Sequence, residues 1–225
     1  MSKDSPKDLK VRTASAIVMI AVAGSALWAG GWVFTTFVAI VAAGLLWEWW
    51  GLISKFNQSW WGRALWMLGG LVYVGGAAIG VIAQTAIFPA MTFLFIGLVV
   101  SVDSGAYLAG RFVGGAKIAP EISPSKTWSG LVGGTLLAVA WVIAIEFYWS
   151  HSLHNWVLAA IMSCALAVFA QTGDFFESWL KRKAGVKDSG NLIPGHGGMF
   201  DRLDGYIPVF AVVAVMITLN NPEGF

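Results

Sequence analysis

Residues 64–82 read ALWMLGGLVYVGGAAIGVI, nineteen positions without one charged side chain. A helix of that length spans about 28 Å, close to the hydrocarbon thickness of a bilayer. In lipid a helix satisfies all its backbone groups within one segment, so this stretch predicts a membrane helix. Further apolar runs flank it at roughly 14–30, 32–50, 86–108, 129–149, 154–176 and 205–220. The expected fold is all-α: a polytopic integral membrane bundle of about seven transmembrane helices, within a range of about seven to nine. Composition agrees. Hydrophobic residues make up 57% of the 225-residue chain and charged residues 12%, where soluble domains carry about 25%. So few charges could not cover a soluble surface, and disordered chains have the opposite composition. One cysteine excludes a disulfide scaffold. A net charge of +2 gives no reason to expect a nucleic-acid partner.

Orientation follows from the 14 basic residues. With the N-terminus inside, Lys3, Lys7, Lys10 and Arg12 precede the first span, and Lys55 and Arg63 fall between the second and third. Arg111, Lys117 and Lys126 fall between the fourth and fifth; Lys181, Arg182, Lys183, Lys187 and Arg202 between the sixth and seventh. The opposite connections, near 30–31, 83–86 and 150–154, and the tail from 221 hold none. Seven spans therefore obey the positive-inside rule in full. A cleaved signal peptide is the alternative for the first run, but no soluble stretch follows it. Trp47, Trp49, Trp50, Trp60, Trp61 and Trp66 fall at inner ends, and Trp28, Trp32, Trp149 and Trp156 at outer ends, as an aromatic belt would. Gly76-x-x-x-Gly80 and Gly130-x-x-x-Gly134 permit close packing, within one chain or between two copies in a homodimer. Cys164 reads as a small buried side chain.

Ten of the twelve acids share the inner side; Glu146 and Glu223 are the exceptions. Polar content gathers in two segments, 103–128 and 174–204, while the middles of the spans are nearly free of charge. A transporter would place ionisable residues near mid-span, so chemistry is expected at the cytoplasmic membrane face. Asp174 and Glu177 share a helix face, and Asp201 and Asp204 repeat that spacing. Helix capping is the plain reading of Asp201 and Asp204. Four such carboxylates at neighbouring span ends repel unless a cation lies among them, and hard oxygen donors suit magnesium. Spacing alone leaves the two readings level.

Glycines 195, 197 and 198 around His196 let backbone N–H groups face an anion, and Lys181, Arg182, Lys187 and Arg202 supply positive charge. Ser123-Pro-Ser125-Lys126-Thr127-Trp128, directly before a span, reads either as a phosphate site at a helix start or as a cap with interfacial anchors. Asp103 lies at the inner end of the fourth span and calls for a lysine partner. His196 reads equally as a general base or as part of a phosphate-binding turn. Neither a Walker loop nor a dinucleotide fingerprint occurs.

The segment Ser178-Trp-Leu-Lys181-Arg182, then Lys187-Asp188-Ser-Gly190, then Pro194-Gly-His196-Gly-Gly-Met-Phe-Asp201-Arg202-Leu-Asp204 resembles the signature of the phosphatidate cytidylyltransferase (CDP-diacylglycerol synthase) family. Gln171-x-Gly-Asp174-x-x-Glu177, Asp103-x-Gly-Ala-Tyr-x-x-Gly110-Arg111, Ser123-Pro-Ser-Lys126-Thr127-Trp128-x-Gly130 and the opening Leu9-Lys10-x-Arg12 are also similar to that family. The resemblance implies one domain over 1–225, with helices of 14–82 as scaffold and 86–220 as the catalytic half. It implies CTP and phosphatidic acid as substrates, CDP-diacylglycerol and pyrophosphate as products, and a bacterial inner membrane as location. It implies Asp174 and Asp201 as magnesium ligands, Asp204 and Glu177 in support, and room for a second cation. Lys126, Lys187 and Arg202 would neutralise phosphates; Ser123, Thr127, His196 and Gly197 would orient them; Asp103 and Asp188 would fix the basic groups or touch the nucleotide. A CTP-dependent polyprenol kinase and a membrane transporter are the rival readings.

Overall fold

The computed structural model describes residues 6–150 and 155–220, and side chains from residue 10 onward. Lys3, Glu223, the connection 151–154 and the tail from 221 lie outside the described residues, as does the side chain of Lys7. The chain runs α1 (Pro6–Ala29), α2 (Gly31–Ile53), α3 (Trp60–Ile87), α4 (Pro89–Phe112), β1 (Lys117–Ala119), β2 (Ser123–Thr127), α5 (Trp128–Ser150), α6 (Trp156–Ala184), α7 (Phe200–Leu203) and α8 (Tyr206–Asn220). Six helices among the described residues are long and apolar enough to cross a membrane. The expected all-α polytopic bundle is thus the observed fold. The seventh run differs: α8 has 15 residues, about 22 Å of helix against about 30 Å of hydrocarbon. The first helix also begins earlier than hydropathy suggests, at Pro6, and carries the basic stretch within it.

Local chemistry sets the boundaries. Gly30 and Gly31 take φ of 62° and 48°, which lets α1 reverse into α2 without a loop. Ser59 caps α3, its hydroxyl accepting from the Gly62 N–H at 3.3 Å. Pro89 opens α4, where its missing N–H costs nothing. Gly185, left-handed at φ 68°, ends α6, and the N–H groups of Gly185 and Val186 return to the carbonyls of Arg182 and Lys181.

Two apolar clusters hold the bundle. One joins Trp49, Leu52 and Ile53 of α2 to Val74 of α3, Leu180 of α6, Phe200 and Phe210. The other joins Leu98, Val99 and Val102 of α4 to Ala138, Ala167 and Val209. Glycine allows the closest approaches. A Cβ on Gly80 would lie 2.0 Å from the Phe210 carbonyl oxygen, and one on Gly134 would lie 2.6 Å from that of Val102. The Gly130 and Gly134 pair thus packs α5 on α4 within this chain, as Gly80 packs α3 on α8, while Gly76 meets nothing within 4 Å. Trp28, Trp32, Trp47, Trp60 and Trp61 are exposed, as belt residues are. Trp49 is not: it is 2% exposed and its indole N–H donates to the Trp66 carbonyl at 3.0 Å. Cys164, expected inside, is exposed. The segment 103–128 is a loop only in part. Asp103 belongs to α4, and β1 and β2 form an antiparallel hairpin in which Lys117 pairs with Thr127 and Ala119 with Ser123.

Candidate active site

The functional side chains meet at one end of the bundle, where the start of α1, the ends of α2, α4 and α6, the hairpin and α7 converge. Two lysines organise the acids there. Lys126, on β2, pairs with the Asp174 carboxylate of α6 and lies 4.8 Å from the centre of the Phe175 ring. Asp204, just after α7, stands beside them because Gly173 lets α6 press against its backbone: a Cβ there would fall 2.1 Å from the Asp204 carbonyl oxygen. Asp103 of α4 is within electrostatic reach of Asp174 and Lys126. One lysine thus serves three carboxylates. Burial, with the Asp174 charge beside it, pushes the Asp204 carboxyl up to about 8.

Lys181 organises the second group. It donates to Asp201 Oδ1 at 2.7 Å and lies 2.7 Å from Glu177 Oε1, an ion-pair contact without hydrogen-bond geometry. Asp201 Oδ2 accepts the N–H groups of Ser189 and Gly198, each at 2.9 Å. Burial acts to raise the Asp201 carboxyl, but the hydrogen bonds from Lys181, Ser189 and Gly198 outweigh it and hold the group well below the usual carboxylate range.

The expected magnesium pair, Asp174 and Asp201 with Asp204 and Glu177 in support, is divided between the two lysine groups. Lys181 stands between Glu177 and Asp201; Asp201 Oδ2 already takes the Ser189 and Gly198 donors, and Oδ1 takes Lys181. Among the described residues no three acidic, histidine or cysteine side chains close around one point. Magnesium commonly takes only one or two carboxylates and completes its shell with water and phosphate oxygens. The open pair Asp174 and Asp204, short of positive charge, fits such an ion. At Asp201 and Glu177 the Lys181 ammonium already supplies positive charge.

The segment after α6 folds into a tight turn. The Ile193 N–H donates to the Gly197 carbonyl at 2.9 Å and the His196 N–H to that of Ile193 at 3.0 Å, with Gly195 and Gly197 at φ 76° and 84°. Arg202 braces it, donating from Nε and Nη2 to the His196 carbonyl at 3.1 and 2.7 Å. His196 Nδ1 lies 2.8 Å from the Ser15 hydroxyl of α1. Around this turn is a polar cavity of about 680 Å³, lined by Arg12, Lys187, Asp188, Asn191, His196 and Arg202 among others.

The structure thus gathers Lys187, Asp188, His196, Gly197 and Arg202 on one cavity, and Lys126, Asp103, Asp174 and Asp204 in one cluster. It does not turn Thr127 outward. The Thr127 hydroxyl is buried, accepts from the Gly130 N–H at 3.1 Å and so caps α5. Ser123 is buried as well. Sequence reasoning missed Glu48 of α2, whose carboxylate accepts the N–H groups of Met199 at 2.9 Å and Phe200 at 2.8 Å. Its signal was a lone acid inside the apolar, tryptophan-rich run of 32–50.

Comparison with known proteins places the chain in a family. The model of the Cytidylyltransferase family matches residues 65–220. A protein of Rickettsia bellii (strain RML369-C) named phosphatidate cytidylyltransferase is 36% identical over 216 residues, covering 92% of this chain and 90% of the relative. Proteins of the same name from Rickettsia felis and Brucella suis are 44% and 40% identical over 131 and 152 residues, covering 58% and 55% of those relatives.

Proposed function

The chain belongs to the cytidylyltransferase family, and from that membership we infer that it transfers a cytidylyl group from CTP to phosphatidic acid, releasing CDP-diacylglycerol and pyrophosphate. The observation that carries the reading is the meeting, at one end of a membrane bundle, of a carboxylate cluster short of charge and a basic cavity. An oxygen of the lipid phosphate forms a bond to the α-phosphorus of CTP. The bond from that phosphorus to the β-phosphate oxygen breaks, and its electron pair leaves on pyrophosphate. The nucleophile is already anionic, so no covalent enzyme intermediate is required; positioning and charge neutralisation do the work.

Asp174 and Asp204 would hold magnesium, with Asp103 beside them. When bound, the ion supplies Lewis-acid polarisation of phosphate oxygens. Lys181 occupies the place between Glu177 and Asp201 that a second cation would take, so one metal is the proposal. Lys187, Arg202 and Arg12 offer charge to phosphates at the cavity. Lys126, held by Asp174, is placed to exchange that carboxylate for a phosphate oxygen when the ion is bound. Asp188 and Asn191 line the same cavity and are placed to accept or donate toward the nucleotide. The distribution of basic residues supports a site on the cytoplasmic face of a bacterial inner membrane, with the N-terminus inside.

Chromatography of membranes supplied with labelled CTP, phosphatidic acid and magnesium tests the reading. A labelled liponucleotide that depends on phosphatidic acid is expected. A phosphorylated prenol instead would mean a kinase, and no labelled lipid would point to transport; either overturns the proposal.

A further inference from the structure

We propose that Glu48 of α2 is a positioning residue for this reaction, acting on the reactants through the segment 189–200; the inference rests on the cytidylyltransferase reading. Glu48 is 3% exposed and sits between Trp47 and Trp49 near the end of a membrane helix. A carboxylate in such a place is retained only where donors satisfy it. Oε1 accepts the Met199 N–H at 2.9 Å; Oε2 accepts the Phe200 N–H at 2.8 Å and lies 3.0 Å from the Ser189 hydroxyl. The same hydroxyl lies 3.0 Å from Asp201 Oδ2, so its single proton is shared between the two acids. Asp201 takes the neighbouring Gly198 N–H. Three consecutive backbone donors, 198 to 200, thus end on two carboxylates from different elements.

Two glycines make room for this grip. A Cβ on Gly190 would lie 2.4 Å from Glu48 Oε1, and one on Gly198 would lie 2.7 Å from Oε2 and 2.0 Å from the Ser189 hydroxyl. Both have negative φ, so the demand there is for space alone. Trp49, the next residue, is locked to the Trp66 carbonyl and packs edge-on against Phe200 at 5.9 Å, which fixes the helix that presents Glu48. The gripped segment runs directly between Lys187-Asp188 and Arg202 and contains His196, all of them cavity residues. Loosening it would move several phosphate-facing groups together, while Glu48 itself does not line the cavity. Glu48 lies outside the residues 65–220 matched by the family model, so α2 supplies more than membrane anchoring.

Glu48→Gln keeps the volume but replaces one acceptor oxygen with a donor facing a backbone N–H. With the full chain in detergent or nanodiscs, and the parent showing liponucleotide synthesis, turnover is expected to fall about tenfold to a hundredfold. Amide exchange in peptides covering 189–200 should speed up by about tenfold or more, while α4 and α6 keep parental rates. Parental turnover and parental exchange in the Glu48→Gln variant would overturn the proposal. So would exchange that rises equally in every helix, because that marks a general loss of stability and not a positioning role. Should Glu48→Gln fail to fold, Ser189→Ala removes one of the three donors to Glu48, the hydroxyl, and is read by the same two measurements. A parent that makes no liponucleotide would strike the activity assignment instead, leaving the exchange result to judge the grip alone.

Discussion

Two lysines give five nearby carboxylates different jobs. Lys181 lies between Glu177 and Asp201, and the Ser189 and Gly198 N–H groups end on Asp201 Oδ2, so that carboxylate holds the segment after α6 in place. Lys126 is shared by Asp174, Asp204 and Asp103, which leaves that group with an excess of negative charge. On the proposed reading a divalent ion would relieve the second group, while Lys181 already serves the first. Asp174→Asn is therefore expected to abolish binding of manganese, used as a paramagnetic stand-in, and to lower turnover by at least about a hundredfold. Asp201→Asn should also lower turnover, by loosening the segment 189–200, yet leave manganese binding near the parental level. Electron paramagnetic resonance on the two purified variants checks this, and loss of manganese from Asp201→Asn alone would reverse the assignment. The acids themselves were legible from spacing in the chain. Their division was not, because it depends on which lysine each one meets across the fold. Trp49 and Cys164 failed for the same reason: a belt indole and a core indole look alike in one dimension, as do a buried and an exposed thiol.

At the scale of elements, the hairpin between α4 and α5 is what carries Lys126 to α6. Its two strands have three and five residues, and Pro124 sits in the second. Elements so short leave no periodicity to read, and Ser123 to Thr127 therefore looked like the start of a helix. The boundary was nearly right, since α5 begins at Trp128 and Thr127 caps it. The hairpin turns Lys126 toward Asp174 while Thr127 stays inside. Lys126→Ala is thus expected to lower turnover and to raise the apparent KM for a phosphate-bearing substrate, each by about tenfold. Lys55→Ala, exposed and outside the site, is the control. Identical kinetics in the two variants would reduce the hairpin to an anchor. The close seat of α6 on the Asp204 backbone gives a second test. Gly173→Ala would place a methyl 2.1 Å from a carbonyl oxygen, and should cost about 1–3 kcal/mol or force α6 away from Asp204. Thermal unfolding of the purified variant, compared with Gly75→Ala where nothing lies within 4 Å, measures that cost.

For the whole molecule, hydropathy located every long helix, because the bilayer demands a length that the chain must display openly. It also placed the last one, 205–220 against Tyr206–Asn220, which is apolar throughout and has 15 residues among those described. What hydropathy alone leaves out is how the N-terminal helices join the site: Arg12 and Ser15 of α1 and Glu48 of α2 all reach the segment after α6. That convergence requires the start of α1 and the ends of α2, α4 and α6 to lie on one side of the membrane. The proposed orientation makes this side the cytoplasm, where positively charged segments are retained during insertion. Single cysteines at 57, 118 and 186, each in a Cys164→Ala background, are expected to react with an impermeant thiol reagent only after spheroplasts are lysed. These positions fall in the connection after α2, in the hairpin and after α6. Phe88→Cys, at the exposed turn between α3 and α4, should react in intact spheroplasts. Labelling of 57, 118 and 186 from outside, with 88 protected, would keep the bundle but invert it. CTP would then have no route to the site, and the cytidylyl-transfer reading would fall with the orientation. Labelling of 118 alone from outside would be more damaging to the geometry, since Lys126 could not then meet Asp174.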